Sequence, residues 1–197
     1  GWVAAGVKGN GVVNGYVLLA TSCDGTLATT ATPTTVRVVC SNTLSIALGD
    51  MSEGIRVSHS TAFDAQAVKK RIGVAVSQWD DFMYRMKVLS ERTVKLKESE
   101  AFFSKLLQCA PQDSTLQEPV GQERAIKKLM QLYGGTGRGA ELSAAKNTAW
   151  GLLCAVTEFV DHERRARSTA YRLDSAWFGQ GANLKQRALG NALQLAY

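Results

Sequence analysis

The sequence is poor in metal-binding and disulfide-forming residues, with two histidines and four cysteines in 197 residues. The cysteines lie far apart, and none of them forms a Cys-x-x-Cys pair. Since a metal site needs three or four suitably placed ligands, we expect neither a metal nor a cofactor. A disulfide framework would be denser, so we interpret the cysteines as buried thiols in a reducing cytoplasm.

Long apolar segments are also lacking. A membrane-spanning helix needs about 20 mostly apolar residues, whereas the longest apolar runs, such as 16–20 and 36–40, are only as long as a strand. We therefore expect a cytoplasmic protein that has no membrane partner. The chain begins at Gly1 and enters strand-like residues at once, so we expect the full protein to contain a preceding segment.

The charge of the chain is positive and unevenly placed. The net charge is +6, and the sequence pI is about 9.3. Up to residue 60, three basic residues balance three acidic ones, so the whole excess lies in the later part. Such a bias is typical of proteins with a polyanionic partner.

The first third of the chain predicts strands and turns. Residues 12–20 and 26–31 predict a β-hairpin closed by Cys23-Asp24-Gly25, because glycine tolerates the left-handed conformation of tight turns. Pro33 then ends the strand, and helical spacing predicts a helix over 36–48. A strand continuing through 36–39 is the alternative. Residues 55–59 predict a further strand.

The rest of the chain predicts helices over 64–91, 99–108, 122–133, 143–167 and 184–195, because apolar residues recur there every three or four positions. Strands followed by helices indicate an α+β fold. We expect an N-terminal β-hairpin or antiparallel sheet followed by a predominantly helical C-terminal two-thirds. The predicted parts are a β-rich core with a long amphipathic helix (1–110), a linker (111–121) and a helical region (122–197). Together they form one continuous domain that is incomplete at its N-terminus.

One candidate site lies in the β-rich third, where six polar side chains could converge: Cys23, Asp24, Arg37, Cys40, Asn42 and His59. A metal site or a Cys–His nucleophile pair is one interpretation. The alternative is structural, with Asp24 capping a turn and Cys40 buried. We assign no catalytic residue, and we favour a protein without enzymatic activity.

Basic residues near aromatic residues form the second candidate site. The densest cluster is Arg164, Arg165, Arg167 and Arg172, close to Tyr171, Trp177 and Phe178. Cations neutralise phosphates and aromatic rings stack on bases, as single-stranded nucleic acid requires. The alternative is a solvated helix end. Further basic residues extend the candidate track: Lys69, Lys70, Arg71, Lys127, Lys128 and Arg138. Arg138 lies in a glycine-rich stretch, 134–139, which lacks the Gly-Lys-Ser/Thr ending of a phosphate loop.

Three stretches resemble a family of phage- and plasmid-like proteins of unknown function. They are Tyr-Val-Leu-Leu-Ala-Thr-Ser-Cys-Asp-Gly at 16–25, Val-Arg-Val-Val-Cys-Ser-Asn-Thr-Leu at 36–44 with a strand ending at His59, and residues 148–162. The family commonly has histidine before Asp-Gly, where this chain has Cys23. The resemblance implies a role in DNA metabolism or in evading host defence. The order of hairpin and helix is also similar to single-strand annealing proteins of the Rad52 type.

We therefore expect a nucleic-acid-binding accessory protein of a phage or plasmid. It would bind or anneal single-stranded DNA in recombination or replication, as a homo-oligomeric ring or filament. One alternative is a protein-binding module that blocks a host restriction or defence enzyme. Another is a nuclease or hydrolase that uses the polar residues of the β-rich third, with Asp24 and His59 at its centre.

Overall fold

Helices dominate the part of the chain in which side-chain packing is described. A computed structural model describes residues 5–7, 11–20, 29–37, 42–45, 55–57, 66, 79–108 and 119–197. The helices within these ranges are α1 (Trp79–Glu91), α2 (Leu96–Gln108), α3 (Pro119–Gln131), α4 (Ala149–Glu158), α5 (Thr169–Phe178) and α6 (Gln180–Ala196). Single π-helical turns extend α3 over Leu132–Thr136 and α4 over Phe159–Glu163.

The centre of this helical body is α4. Every residue of α4 is buried, as expected for a helix that is apolar on all sides except at its last residue. It packs against α1, α3 and α6, while α2 packs against α3 and α6. The largest fully buried side chains include Met86 of α1, Phe103 of α2 and Leu184 of α6. The core therefore draws on residues that are distant in sequence.

Local hydrogen bonds fix where several helices begin. Thr148 caps α4, because its Oγ1 accepts a hydrogen bond from the backbone N–H of Gly151 at 3.1 Å. Ser168 caps α5 in the same way by accepting from Tyr171. At α2, the carboxylate of Glu98 accepts from the backbone N–H of Lys95 at 2.8 Å. That bond, together with the guanidinium of Arg92, lowers the pKa of Glu98.

Short strands precede the helical body. They are β1 (Ala5–Val7), β2 (Gly11–Ala20), β3 (Thr29–Arg37), β4 (Asn42–Ser45) and β5 (Ile55–Val57). They pair antiparallel in the order β1-β2-β3-β4, with β5 also on β3. The backbone of β4 lies beside α4 and α6.

The helix predicted over 36–48 is wrong, because β3 continues to Arg37 and β4 occupies Asn42–Ser45. Pro33 does not end the strand as predicted. One edge of β3 pairs with β2. Along its other edge, residues 29–31 pair with β5 and residues 34–37 pair with β4, and Pro33 lies between these two stretches. On the β2 side Pro33 stands opposite Val17, and a proline is tolerated in a strand where no partner needs its N–H. The β-branched residues Thr34, Thr35 and Val36 then favour the extended chain.

The α+β fold class predicted from the sequence needs correction. Over 79–108 and 119–197 the chain is 78% helical and contains no strand. All described core hydrophobic residues lie between Phe82 and Ala192. A β-rich core was predicted within residues 1–110, whereas the described core residues lie in helices except for Val94, Ala144 and Ala145 in the connecting segments. The centre of this core is α4, which packs against α1, α3 and α6.

The helix predicted over 143–167 also has wrong limits. Residues 137–147 form turns, α4 begins only at Ala149, and the helical segment ends at Glu163. Capping by Thr148 explains the late start. The sequence also failed to predict α5. The predicted helix over 64–91 is confirmed only from Trp79 onward, within the described residues.

Candidate nucleic-acid interface

The polar site predicted in the β-rich third falls mostly outside the described residues. Cys23, Asp24, Cys40 and His59 lie there, as do the basic residues Lys69, Lys70 and Arg71. Arg37 and Asn42 are described by their backbone, and they stand opposite each other in the β3–β4 register. The polar site therefore stays a prediction.

Two of the predicted basic stretches meet in the helical body. Lys128, near the end of α3, forms an ion pair with Glu163, the last residue of the second π-turn, with a distance of 2.8 Å from Nζ to Oε2. Lys127 beside it is exposed. Because Arg164 and Arg165 directly follow Glu163, this contact brings them close to Lys127 and Lys128.

The glycine-rich stretch 134–139 is held beside the same segment. The backbone N–H of Arg138 donates to both carboxylate oxygens of Glu158, at 3.0 Å and 3.3 Å. The side chain of Arg138 is exposed, whereas Glu158 is buried. Glu158 lies five residues before Glu163, which is about one and a half turns of helix. We use the name basic edge for six basic residues carried by the segments that these two contacts join to α4 and its π-turn: Lys127, Lys128, Arg138, Arg164, Arg165 and Arg167.

Two arginines of the predicted cluster form hydrogen bonds that link elements of the fold. Arg164 Nη2 donates to Oε1 of Gln180 at 3.2 Å, and Arg172 Nη1 donates to the backbone carbonyl of His162 at 3.1 Å. Both arginines are only partly exposed. They link the second π-turn to α5 and α6, so part of this positive charge has a structural role.

The other two arginines face solvent. Arg165 and Arg167 are exposed, and Tyr171 on the first turn of α5 is 60% exposed. Trp177 and Phe178 are half-buried, which leaves Tyr171 as the exposed aromatic residue of the three predicted from the sequence. Two cations and an exposed ring within seven residues can contact phosphates and stack on a base.

A buried ion pair joins the second π-turn to α6. Nζ of Lys185 on α6 lies 2.9 Å from Oδ1 of Asp161, and the two side chains are 3% and 8% exposed. The ring of Trp177 lies under the same ammonium, 5.7 Å from it to the ring centroid. Burial lowers the pKa of Lys185, and the nearby Asp161 carboxylate opposes that change.

The surface charge of residues 119–197 is strongly positive. This range contains eleven Lys and Arg residues against six Asp and Glu residues. Glu158 and Lys185 are buried, and Asp161 pairs with Lys185. Ten basic and four acidic side chains are therefore left for the surface of this range. Within the described residues, no group of three His, Cys, Asp or Glu side chains could hold a metal ion.

Comparison with known protein families assigns most of the chain. The model of a domain of unknown function, DUF932, matches residues 3–177. The chain belongs to the DUF932 family. The resemblance to an uncharacterised family is thereby confirmed at that level. Neither the curated proteins nor the solved structures with which the DUF932 chain was compared contain a match. Among its described residues, the DUF932 chain contains no helix with the length and apolar character needed to cross a bilayer.

The sequence did not predict the buried charges of the DUF932 chain. Glu158 is the single ionisable residue in the otherwise apolar stretch 149–160, and this isolation was a usable signal. The pairing of Asp161 with Lys185 gave no local signal, because 24 residues separate them. Asp161 lies inside the DUF932 match and Lys185 beyond its end at Trp177.

Proposed function

We propose that this DUF932 chain is a nucleic-acid-binding accessory protein of a phage or plasmid. It binds or anneals single-stranded DNA in recombination or replication and has no catalytic activity of its own. In this proposal it works in the cytoplasm as a homo-oligomer, a ring or a filament, like annealing proteins of the Rad52 type. The observation that supports it is the ion pair that joins Lys128 to Glu163, directly before Arg164 and Arg165, with the exposed ring of Tyr171 six residues after Arg165.

The chemistry of this surface suits a flexible strand. Arg165 and Arg167 neutralise phosphates, while Tyr171 stacks on an unpaired base, which a duplex does not offer. The first turn of α5 carries Tyr171 and begins at Thr169. Its helix dipole adds positive potential at the same place.

Binding to labelled oligonucleotides tests the proposal. Anisotropy would be measured with single-stranded and double-stranded DNA over a series of salt concentrations. We expect tighter binding to the single strand and a linear fall of log K with log salt. Each single-strand phosphate contact contributes about 0.7 to the slope, so the double variant Arg165→Ala/Arg167→Ala should lower the slope by about 1.4 and weaken binding about 25-fold at 0.1 M salt.

The matched control is Arg85→Ala/Lys87→Ala, which removes the same charge from exposed positions on α1. It should change affinity far less. Tyr171→Ala should weaken binding to single strands while leaving duplex binding nearly unchanged. Absence of salt-sensitive binding by the unmodified protein at low ionic strength would refute the proposal. Light scattering with and without the oligonucleotide tests the oligomer, and a monomer in both conditions refutes the ring or filament.

A further inference from the structure

The turn that carries Arg138 is built from conformations that only a glycine-rich sequence adopts easily. Gly135 has φ of 132° and Gly139 has φ of 69°, both in the region that favours glycine. Between them, a Cβ added to Gly137 would collide with the carbonyl oxygen of Leu132 and come within 3.2 Å of Oε2 of Glu158. The backbone therefore lies directly against the Glu158 carboxylate.

Glu158 lies in an unfavourable place for a carboxylate. It is 5% exposed and lies inside a helical segment that continues to Glu163. A buried carboxylate is tolerated only when hydrogen bonds compensate for lost water. The backbone N–H of Arg138 supplies such bonds to both of its oxygens. The carboxylate and the loop thus stabilise one another.

The loop also covers a small cavity. The cavity has a volume of about 10 Å³, room for one water molecule. Its lining includes Gly137 and Arg138 of the loop, together with Cys154 and Glu158, which lie one turn apart on α4. Cys154 is a buried thiol, so its access to solvent depends on the position of the loop above it.

We propose that Glu158 is a positioning residue that holds loop 134–139 so that Arg138 binds a phosphate of the DNA strand. This inference rests on the proposed function. The carboxylate itself does not touch the nucleic acid. It fixes the backbone from which the exposed side chain of Arg138 extends, and a bound phosphate in turn holds the loop over Cys154.

A double-mutant cycle on single-stranded DNA affinity tests this. Arg138→Ala removes one phosphate contact, which should weaken binding about five-fold at 0.1 M salt. Glu158→Ala should cause a loss of similar size, and the combined variant should lose no more than either alone. Glu158→Gln keeps an acceptor oxygen at the same place and should retain most of the affinity. Glu123→Ala, on the exposed surface of α3, controls for removal of a negative charge and should not weaken binding.

Alkylation of Cys154 by iodoacetamide, followed by mass spectrometry of its peptide, reports on the loop without relying on affinity. Glu158→Ala should accelerate the reaction in a protein whose circular dichroism still shows native helix content. A saturating oligonucleotide should slow the reaction in the unmodified protein and fail to do so in Arg138→Ala.

The two proposals fail in different ways. Additive affinity losses for Glu158→Ala and Arg138→Ala overturn the positioning role, as does an unchanged alkylation rate in Glu158→Ala. If Arg165→Ala/Arg167→Ala loses binding while Arg138→Ala binds normally, the inference is wrong and the proposed function survives. If the unmodified protein shows no salt-sensitive binding, the proposed function fails and the phosphate role of Arg138 fails with it.

Discussion

Replacing Asp161 by asparagine removes the carboxylate that lies 2.9 Å from the ammonium of Lys185. The change keeps the size of the side chain and its ability to hydrogen-bond, so it tests the charge alone. Lys185 stays almost completely buried, at 3% exposure of its side chain. Its positive charge then lies in the helical body with the ring of Trp177 but without its carboxylate partner.

The expected loss of stability is large. At 2.9 Å, two unit charges attract by about 6 kcal/mol with an effective dielectric constant of about 20. Breaking a buried pair by removing one partner costs about 3–5 kcal/mol, because the remaining charge is left desolvated. For a chain of this size, that loss lowers the melting temperature by roughly 6–20 °C.

The loss of stability caused by Asp161→Asn should become smaller as pH rises. Burial holds the pKa of Lys185 below its usual 10.5, and Asp161 opposes that effect. Without Asp161 the pKa in the folded state falls further, while the pKa in the unfolded chain is unchanged. Between the two folded-state pKa values, both below 10.5, the folded variant binds fewer protons than folded wild type. The stability deficit of the variant is therefore full below this window and shrinks as pH rises through it.

Thermal and urea unfolding followed by circular dichroism at 222 nm, at pH 7 and at several higher pH values, measure the effect. Asp174→Asn is the matched control, because Asp174 is exposed on α5 and its replacement should change stability by less than about 0.5 kcal/mol. A loss below about 1 kcal/mol for Asp161→Asn, or a deficit that grows with pH, would contradict the role given to this pair.

Three further substitutions test the packing of the helical body. Gly151→Ala places a Cβ on the carbonyl oxygen of Ala145 and should destabilise by about 3 kcal/mol or more. Gly190→Ala on α6, with no atom within 4 Å of its Cβ, should instead stabilise the protein by about 0.5–1 kcal/mol in the same unfolding assay. If both variants changed stability equally, the predicted clash between the new Cβ of Gly151→Ala and the Ala145 carbonyl would be refuted. Tyr133→Phe removes a buried hydroxyl that has no hydrogen-bond partner among the described residues, so stability at pH 7 should be unchanged or higher. Because burial and then the charge of Glu98 raise the pKa of Tyr133 to about 12, wild type should lose stability relative to this variant as pH rises from 10 towards 12, and parallel pH profiles would argue against it.

Apolar spacing predicted the helical faces well. The apolar residues at helical spacing in the helix predicted over 99–108 are all buried in α2: Phe102, Phe103, Leu106 and Leu107. Residues at the same spacing in the helix predicted over 143–167 are buried too: Trp150, Leu153, Cys154, Thr157 and Val160. These predictions hold because burial follows the helical period, which is a local property of the sequence.

The sequence was less informative where contacts between distant residues determine the secondary structure. The stretch 36–48 has helical spacing, but pairing with β3 draws residues 42–45 into a strand. Pairing of this kind outweighs a weak local preference. Helix α5 was not predicted, because only its Ala176 is buried. The sequence of this helix therefore contains almost no apolar stripe.

For the candidate site, the sequence identified the basic residues but not how they are assembled. Runs of charge are visible in one dimension, as at Arg164 and Arg165. The contacts that bring the runs together are not, since Lys128–Glu163 and Arg138–Glu158 join residues 35 and 20 positions apart. Which arginines brace the fold and which face solvent also depends on neighbours such as Gln180, contributed by another helix.

The second π-turn makes the chain sensitive to length at one place. A π-turn accommodates one residue more than an α-helical turn, and each residue rotates the helix by about 100°. Deleting one residue within Phe159–Glu163 would make the bond from the Arg164 N–H to the Phe159 carbonyl an α-helical one, so the residues inside the turn would rotate relative to α4. Asp161 would leave the buried ammonium and Glu163 would leave Lys128. Homologous chains that retain both contacts should therefore carry no insertion or deletion between Glu158 and Arg164, while varying freely in sequence at the exposed positions beside them.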